Sequence, residues 1–534
     1  MRLPSDSISP THEVVNQPPE PWTGNLAAGD GSFSAAVELF GGDLDALSEQ
    51  AGLLGQDDMR LAGREANRHK PELVQFDRSG RRLDEVRYHP AYHRFMGAGL
   101  AAGYAAGPWT GGSHVTHAGL VYLHSQVEPG TCCPMTMTYA AVPALRKDAG
   151  LAATWEPAIL SRHHDHTVAP VGRKSAATIG MAMTEKQGGS DVRANSTRAE
   201  RDGAAYRLTG HKWFCSAPMS DALVTLAQAP GGLTCFLVPR WLDDRRNGIR
   251  LMRLKDKLGN ISNASAEIEF DNALANRLGD EGDGVRMIIE MVHHTRLDTA
   301  IAPAGLMRAA LAEALHWTEH RSAFQRRLID QPLMRAVLAD LAIDTQAALW
   351  LGMRVAQAFD RQDEDGRAFA RIAVALAKYI NNKRCPNVVY EAMEVMGGMG
   401  YVDDTPLPML YREAPLNSIW EGSGNVICLD ILRTLARDPV AAEQLQIDLR
   451  AARGQDARYD RAVDDFSSCW KGLPAEAEMR AYSERLAVLL TASVLIRHAP
   501  GSLAGAYVTS RVEGARGSTA GTVEGLDPAA ILGK

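Results

Sequence analysis

No stretch of this 534-residue sequence stays apolar for the ~18 residues that a membrane-crossing helix needs; Gly, Pro or charge always interrupts first. The opening residues, Met1-Arg2-Leu3-Pro4-Ser5-Asp6, are polar and contain no apolar core of a secretory signal. Cysteine is sparse. The seven residues, Cys132, Cys133, Cys215, Cys235, Cys385, Cys428 and Cys469, are odd in number and show neither CxxC nor a repeated spacing, so they read as reduced thiols. These absences predict a cytoplasmic protein with no membrane partner. A basic excess is missing too, since the formal net charge is −7. Proteins that live on phosphate backbones carry surplus cations, because counterion release drives that binding. The whole-chain balance therefore argues against nucleic acid and leaves a local basic face open.

Apolar residues make up 45% and charged residues 23%, as in an ordinary globular protein, and the length suffices for three or more domain-sized units. Residues 1–40, rich in Pro, Gly, Ser and Thr, read as an extended arm. Residues 41–180 are mostly helical in pattern. From 181 to 283 the texture changes to short β-type runs, Ala205–Thr209, Leu223–Ala227, Cys235–Pro239 and Ala266–Phe270, bounded by Asp202-Gly203, Pro230-Gly231-Gly232 and Asn247-Gly248. Helical periodicity returns over 284–438, with Met307, Ala310, Leu311, Ala314 and Leu315 on one face. The remainder, 439–534, reads as two further helical stretches and a Gly/Ser/Thr-rich end expected to fray. The class is α+β, in the order helices, β insert, helices.

Several segments carry chemistry. The β insert opens on Ala182-Met183-Thr184-Glu185-Lys186-Gln187-Gly188-Gly189-Ser190-Asp191. Its glycine pair lets backbone approach a ligand closely, and Thr184 and Ser190 are short donors; this suits an isoalloxazine edge or a pyrophosphate. Then comes His211-Lys212-Trp213-Phe214-Cys215-Ser216, after a strand and a Thr209-Gly210 turn; alone, Trp213-Phe214 is more often core than a cofactor wall. A third segment, Glu394-Val395-Met396-Gly397-Gly398-Met399-Gly400-Tyr401, is followed by Tyr411-Arg412-Glu413. No strand precedes its glycines and their spacing is not the dinucleotide fingerprint, so by itself it is a helix C-terminus running into a loop. In Asn417-Ser418-Ile419-Trp420-Glu421-Gly422-Ser423-Gly424-Asn425, Glu421 is either a helix-start glutamate or a carboxylate in a water-poor pocket, where a raised pKa equips it as a base. His163-His164-Asp165-His166 invites a metal reading. Adjacent residues project in different directions and no partner cluster with ligand spacing is visible, so it reads as a solvated or capping run and no metal is expected.

Through Ala194 the first segment matches the first acyl-CoA dehydrogenase signature at each restricted position. The third resembles the second signature, departing at Met409, where the pattern has Lys or Arg. The resemblance implies the fold of that superfamily: an N-terminal helical domain, a middle β-barrel or sandwich and a C-terminal four-helix-type bundle, here with an extra C-terminal helical domain. It also implies FAD. Met183, Thr184, Gly189 and Ser190 fall on the flavin loop, Phe214 becomes the aromatic against the flavin, and Ser216 the hydroxyl near flavin N5, positions where the family more often has Trp and Thr. Gly397 and Gly398 would admit the adenylate half of FAD from a neighbouring subunit, and Ser423 and Asn425 complete the set. Arg321-Ser322-Ala323-Phe324 is similar to the family's Arg-x-x-Phe-Gly, with Gln325 in place of Gly; Arg321 and Phe324 then serve FAD across a dimer interface, a solvated Arg being the plain alternative. Glu421 takes the position of the base in most of the superfamily. One branch puts its base on the preceding helix, where Thr295 stands here and cannot act as one. The implied reaction is oxidation of acyl-CoA or a related thioester, Glu421 removing the α-proton while flavin N5 takes the β-hydride. A monooxygenase branch generally lacks this base and a nitroalkane-oxidising branch uses Asp.

Within the superfamily the chain most resembles the AidB-type alkylation-response flavoproteins. The residues concerned are Thr11-His12-Glu13-Val14-Val15-Asn16-Gln17-Pro18-Pro19, His89-Pro90-Ala91-Tyr92-His93, Glu185-Lys186-Gln187-Gly188-Gly189, Leu254-Lys255-Asp256-Lys257-Leu258-Gly259-Asn260 and the Glu421 segment. The resemblance implies a homotetramer and a C-terminal domain that binds double-stranded DNA, and with them an alternative function: a DNA-associated protective flavoprotein with vestigial dehydrogenase activity. Yet from Ile431 to Lys534 there are 13 Lys/Arg and 13 Asp/Glu, a net of zero. The candidate DNA contacts are Arg437, Arg450, Arg453 and Arg458, with interleaved Asp residues that favour a solvated helix face.

Overall fold

The computed structural model describes residues 11–19 and 24–533; residues 1–10 and 20–23 of the expected arm lie outside the described residues. In chain order the elements are α1 (Gly31–Phe40), α2 (Leu44–Leu54), α3 (Asp57–Arg68), β1 (Glu72–Phe76), β2 (Arg82–Arg87), α4 (Pro90–Ala101), α5 (His114–Val127), α6 (Cys132–Leu145) and α7 (Ala149–Ile159). Seven strands follow: β3 (Ile179–Ala182), β4 (Arg198–Asp202), β5 (Ala205–Ser216), β6 (Ala222–Ala229), β7 (Gly232–Pro239), β8 (Ile249–Leu254) and β9 (Ser265–Leu278). Then come α8 (Gly284–His320), a short hairpin of β10 (Ser322–Ala323) and β11 (Arg326–Arg327), α9 (Pro332–Asp360), α10 (Glu364–Val395), α11 (Leu407–Glu413) and α12 (Gly424–Arg437). The last helices are α13 (Pro439–Arg450), α14 (Ala457–Cys469), α15 (Met479–His498), α16 (Gly501–Tyr507) and α17 (Pro528–Leu532). Side chains start many of them. Asp43 accepts from the Ala46 amide, Ser113 from Thr116 and Asp363 from Gly366, each satisfying a donor that a first helical turn leaves open.

The chain divides into two compact units, one of residues 61–124 and 128–298, the other of residues 1–60, 125–127 and 299–534. In the first, β3 to β9 form one sheet in the order β3-β5-β4-β6-β7-β9-β8, and extra pairings β3–β6 and β5–β9 close it on itself. Its interior holds Leu208, Leu223, Phe236, Val238, Ile268 and Phe270, all buried. Two features depart from the sequence reading. The pair Thr209-Gly210 is no turn; it lies inside the continuous strand β5, at a register shift against β9. A Cβ on residue 210 would stand 2.6 Å from Thr197 Oγ1 and 2.7 Å from its Cα, so the glycine marks a close strand approach. Within the stretch read as helical, β1 and β2 form an antiparallel hairpin. Asp77 builds its turn by accepting from the Ser79 and Arg81 amides. Val86, Leu73 and Tyr88 join the sheet's core, and Gln75 Nε2 donates to the Leu251 carbonyl at 3.0 Å. The hairpin thus belongs to the β body by packing.

The second unit is helical. Its helix α9 is long and apolar enough to cross a bilayer, yet 83% of its most apolar window is buried, as befits the core helix of a bundle. Beyond Asp438 there are five helices among the described residues, where periodicity suggested two. The Gly/Ser/Thr-rich end is held rather than frayed: the Gly521 amide donates to Asp340 Oδ2 at 2.9 Å and the Gly517 amide to Thr522 Oγ1 at 2.8 Å. Cys469 is exposed, the other six cysteines are buried, and all seven are free.

Candidate functional site

In the β-containing unit the predicted flavin loop is anchored from beneath. Glu185 is buried, and its carboxylate accepts from Lys212 Nζ at 2.8 Å, from Thr197 Oγ1 at 2.6 Å and from the Ser196 and Thr197 amides. Burial alone would push the Glu185 carboxyl up, but Lys212 and these donors outweigh it and hold it well below the usual range. Burial pulls Lys212 down to about 8, against the opposing pull of Glu185. Lys212 Nζ also donates to the Leu226 carbonyl at 2.8 Å. Above this pair, the Trp213 amide donates to the Thr184 carbonyl at 2.7 Å and Asn195 Nδ2 to the Met183 carbonyl at 3.0 Å. Gly189 lies so close to Thr184 that a Cβ would overlap the threonine side chain, while Ser190 is exposed.

Strand β5 supplies the second wall. Its register against β9 slips between Lys212 and Cys215. This bulge lets Lys212 and Cys215 both enter the core, where strict alternation would send one of them outward. It leaves Trp213 half-buried and Phe214 45% exposed, with Lys255 Nζ 3.3 Å from the Trp213 ring centre and 4.5 Å from that of Phe214. Ser216 follows, half-buried. Lys255 is itself paired with Glu267 at 2.7 Å, so it is the exposed aromatic and the close glycine loop that fit one edge of a planar cofactor such as FAD.

In the helical unit the loop between α11 and α12 carries Glu421. The side chain is half-buried, and its backbone has φ +57, followed by Gly422 at φ +106. A left-handed conformation costs a non-glycine residue about 1–2 kcal/mol. The loop is held by a lysine that no sequence motif marks: Lys378, buried on α10, donates to the Asn417 carbonyl at 3.0 Å and the Gly422 carbonyl at 2.8 Å. Lys383 Nζ reaches Ser418 Oγ at 3.3 Å, and Trp420 Nε1 donates to Asn417 Oδ1 at 2.7 Å. Lys378 and Lys383 stand on the α10 face toward this loop, five residues apart, but their partners are carbonyls and a hydroxyl, which no charge pattern announces. Thr295, on α8, is fully buried and donates to the Val292 carbonyl at 3.0 Å.

The other predicted residues scatter. Gly397, at φ +59, and Gly398 have open space where a Cβ would stand, so the turn after α10 presents bare backbone. Met409, in place of the family's cation, is buried. Ser423 stands at the start of α12 and is exposed; Asn425 Oδ1 accepts from Arg480 at 2.9 Å. Arg321 is engaged by the N-terminal arm, donating to the Asn16 carbonyl at 2.8 Å, while the Asn16 side chain pairs with Ser322. Phe324 is 95% exposed at φ +54 on the tip of the β10–β11 hairpin. Of the candidate DNA contacts, Arg453 pairs with Asp464 and Arg458 with Asp456. Arg437 and Arg450 are exposed, with no acidic partner among the described residues.

Three family models match in succession: residues 16–166 the adaptive response protein AidB N-terminal domain, 180–273 the acyl-CoA dehydrogenase middle domain, and 282–436 the acyl-CoA dehydrogenase C-terminal domain. The chain is similar to the AidB protein of Escherichia coli strain K12, named as a candidate acyl-CoA dehydrogenase, with 44% identity over 93% of this chain and 94% of that one. Among solved structures, Caenorhabditis elegans ACDH-11 in complex with C11-CoA has TM-score 0.82 at 25% identity, covering 95% of this chain and 92% of that one. The apo form of Bd2924 has TM-score 0.81 at 28% identity, covering 92% and 99%. The α+β fold is that of these proteins, and FAD is the cofactor of the family. By the succession of its domains and the reach of the AidB match along its length, the chain belongs to the acyl-CoA dehydrogenase family, in its AidB branch.

Proposed function

We propose that this protein is an FAD-dependent dehydrogenase of acyl-CoA or related thioesters, with Glu421 as the base. The observation that carries the reading is the backbone of Glu421, held left-handed by a loop tied to buried Lys378; strain of this kind concentrates at functional positions. Bound FAD supplies the hydride acceptor. Glu421 takes the proton from the carbon α to the thioester carbonyl, and the β carbon gives up a hydride, leaving an enoyl thioester. Gly422 keeps the position after the base free of a side chain. Thr184, Phe214 and Ser216 line the flavin side, and Gly397 and Gly398 offer bare backbone to the adenylate half. The C11-CoA complex of ACDH-11 supports an acyl-CoA as the substrate class. Seven free cysteines support a reducing, cytoplasmic setting. The test is anaerobic titration of the yellow protein with acyl-CoAs of graded chain length. Loss of flavin colour with at least one is expected; none with any would favour the protective role instead.

The AidB resemblance also supports a homotetramer that binds double-stranded DNA, and exposed Arg437 and Arg450 are the cations that favour this second reading. Arg453 and Arg458, already neutralised by Asp464 and Asp456, contribute less. A salt-series gel shift on the assembled oligomer tests it. Neutralising Arg437 and Arg450 should lower the logarithmic salt slope by about one for each phosphate that is no longer held. No shift at low salt would remove DNA from the function.

A further inference from the structure

The β-containing unit also gathers three imidazoles that the proposed chemistry does not use. His93 lies on α4, while His164 and His166 come from the segment after α7. One ring nitrogen of each lies within 4.8 Å of the other two. His93 Nδ1 and His164 Nε2 are 2.9 Å apart, and the His93 and His166 ring centres 4.4 Å apart. Nitrogens bound tetrahedrally at about 2.0–2.1 Å from zinc lie roughly 3.3 Å from one another. Two of the three are already near that spacing, and the third, His166, is exposed and can swing in.

The local structure explains how neighbours in sequence come to face one way. His164 and His166 are two residues apart in a segment that is neither helix nor strand, and both rings lie against that of His93. Asp165 between them points elsewhere, accepting from the Thr167 amide at 3.0 Å, from Thr167 Oγ1 at 2.6 Å and from the Ser175 amide at 3.0 Å. Lys174, the nearby cation, is taken up by Asp221 at 2.6 Å. Tyr88 and Tyr92 pack edge-on against His93 and hold its ring. A second cluster, Glu65, His69 and His89, is less suited. His89 Nδ1 accepts from the Ala91 amide and His69 Nδ1 faces the Glu65 carbonyl at 2.9 Å, so backbone already occupies those nitrogens.

We propose that His93, His164 and His166 bind one divalent transition-metal ion, zinc above all, with a fourth position open to water. Three neutral imidazoles suit zinc, copper or nickel, and three protein ligands with one open position is a familiar zinc arrangement. The ion ties the segment after α7 to α4.

The test uses the FAD-loaded protein, stripped with a chelator and dialysed, then titrated calorimetrically with zinc chloride. One zinc per chain is expected, with X-ray absorption showing nitrogen neighbours at about 2.0–2.1 Å. His93→Gln and His164→Gln each weaken binding by more than the ~10–100-fold that loss of a mere outer-shell partner costs. His166→Ala, at an exposed position, does the same with no demand on folding, and retained flavin colour confirms the fold. His69→Gln, in the other cluster, leaves the affinity unchanged. Absence of a one-to-one site in the wild type, or equal affinity in His166→Ala, would overturn the proposal, as would a site sensitive to His69→Gln instead.

Discussion

Glu421 occupies a backbone region that glycine enters freely and glutamate does not. Stability alone therefore selects glycine there, and the proposed role as base accounts for the carboxylate. Glu421→Gly is expected to be at least as stable as the wild type, because the ~1–2 kcal/mol of left-handed strain disappears, while thioester oxidation is lost. Urea denaturation beside the flavin-bleaching assay checks both; a clearly less stable glycine variant would contradict the strain. Lys378 acts on the same residue at one remove. Lys378→Met keeps the bulk and deletes two donors, leaving the Asn417 and Gly422 carbonyls short of partners at roughly 1–3 kcal/mol each. The flavin should remain bound and turnover should fall, with a change in kcat larger than in KM, because the loop rather than the substrate surface is disturbed. Unaltered turnover would remove Lys378 from the positioning of the base.

At the scale of elements, the Glu185–Lys212 pair joins the flavin loop to β5. Removing one member of a buried pair leaves an uncompensated charge and costs about 3–5 kcal/mol. Glu185→Gln should lose that much stability in urea unfolding, and the double variant Glu185→Leu with Lys212→Met should recover a large part. A single variant as stable as the wild type would show that the pair is solvated. The same region shows what a sequence can and cannot announce. Strands β5, β6, β7 and β9 are legible from their apolar runs and the Gly/Pro turns between them. Strands β4 and β8 are not, since Arg198–Asp202 buries only one residue and Ile249–Leu254 only two, so neither shows an unbroken apolar run. The hairpin of β1 and β2 is hidden because its two apolar anchors, Leu73 and Val86, pack against strands far ahead in the chain. Gly210 reads as a turn because glycine signals a turn and a close strand approach alike; only Thr197 tells them apart. Among the candidate site residues, the glycine loops and Glu421 stand out by fixed local spacing. Lys378, Lys212 and His93 do not, because each is given its role by a partner well separated from it along the chain.

Across the whole molecule, buried histidines set the response to acid. Burial holds His124 and His294 down to about 4, against about 6.5 in the unfolded chain. Between those values the unfolded chain binds protons that the folded chain does not, so stability falls as pH drops from 6.5 toward 4. Fully buried His124 contributes on the order of 2 kcal/mol of that loss by pH 5. Urea midpoints at pH 7 and pH 5 measure it, and His124→Gln should flatten the difference; an unchanged difference would place the acid sensitivity elsewhere. On the proposed function, the β-containing unit supplies the flavin loop and the helical unit supplies the base. The most direct measurement of that account is the anaerobic rate of flavin bleaching by an acyl-CoA that the wild type oxidises, compared with Glu421→Gln. The variant should keep its FAD and lose roughly 10²–10⁴-fold in rate, the usual contribution of a general base. An equal rate in wild type and variant would contradict the assignment of Glu421 and move the base elsewhere.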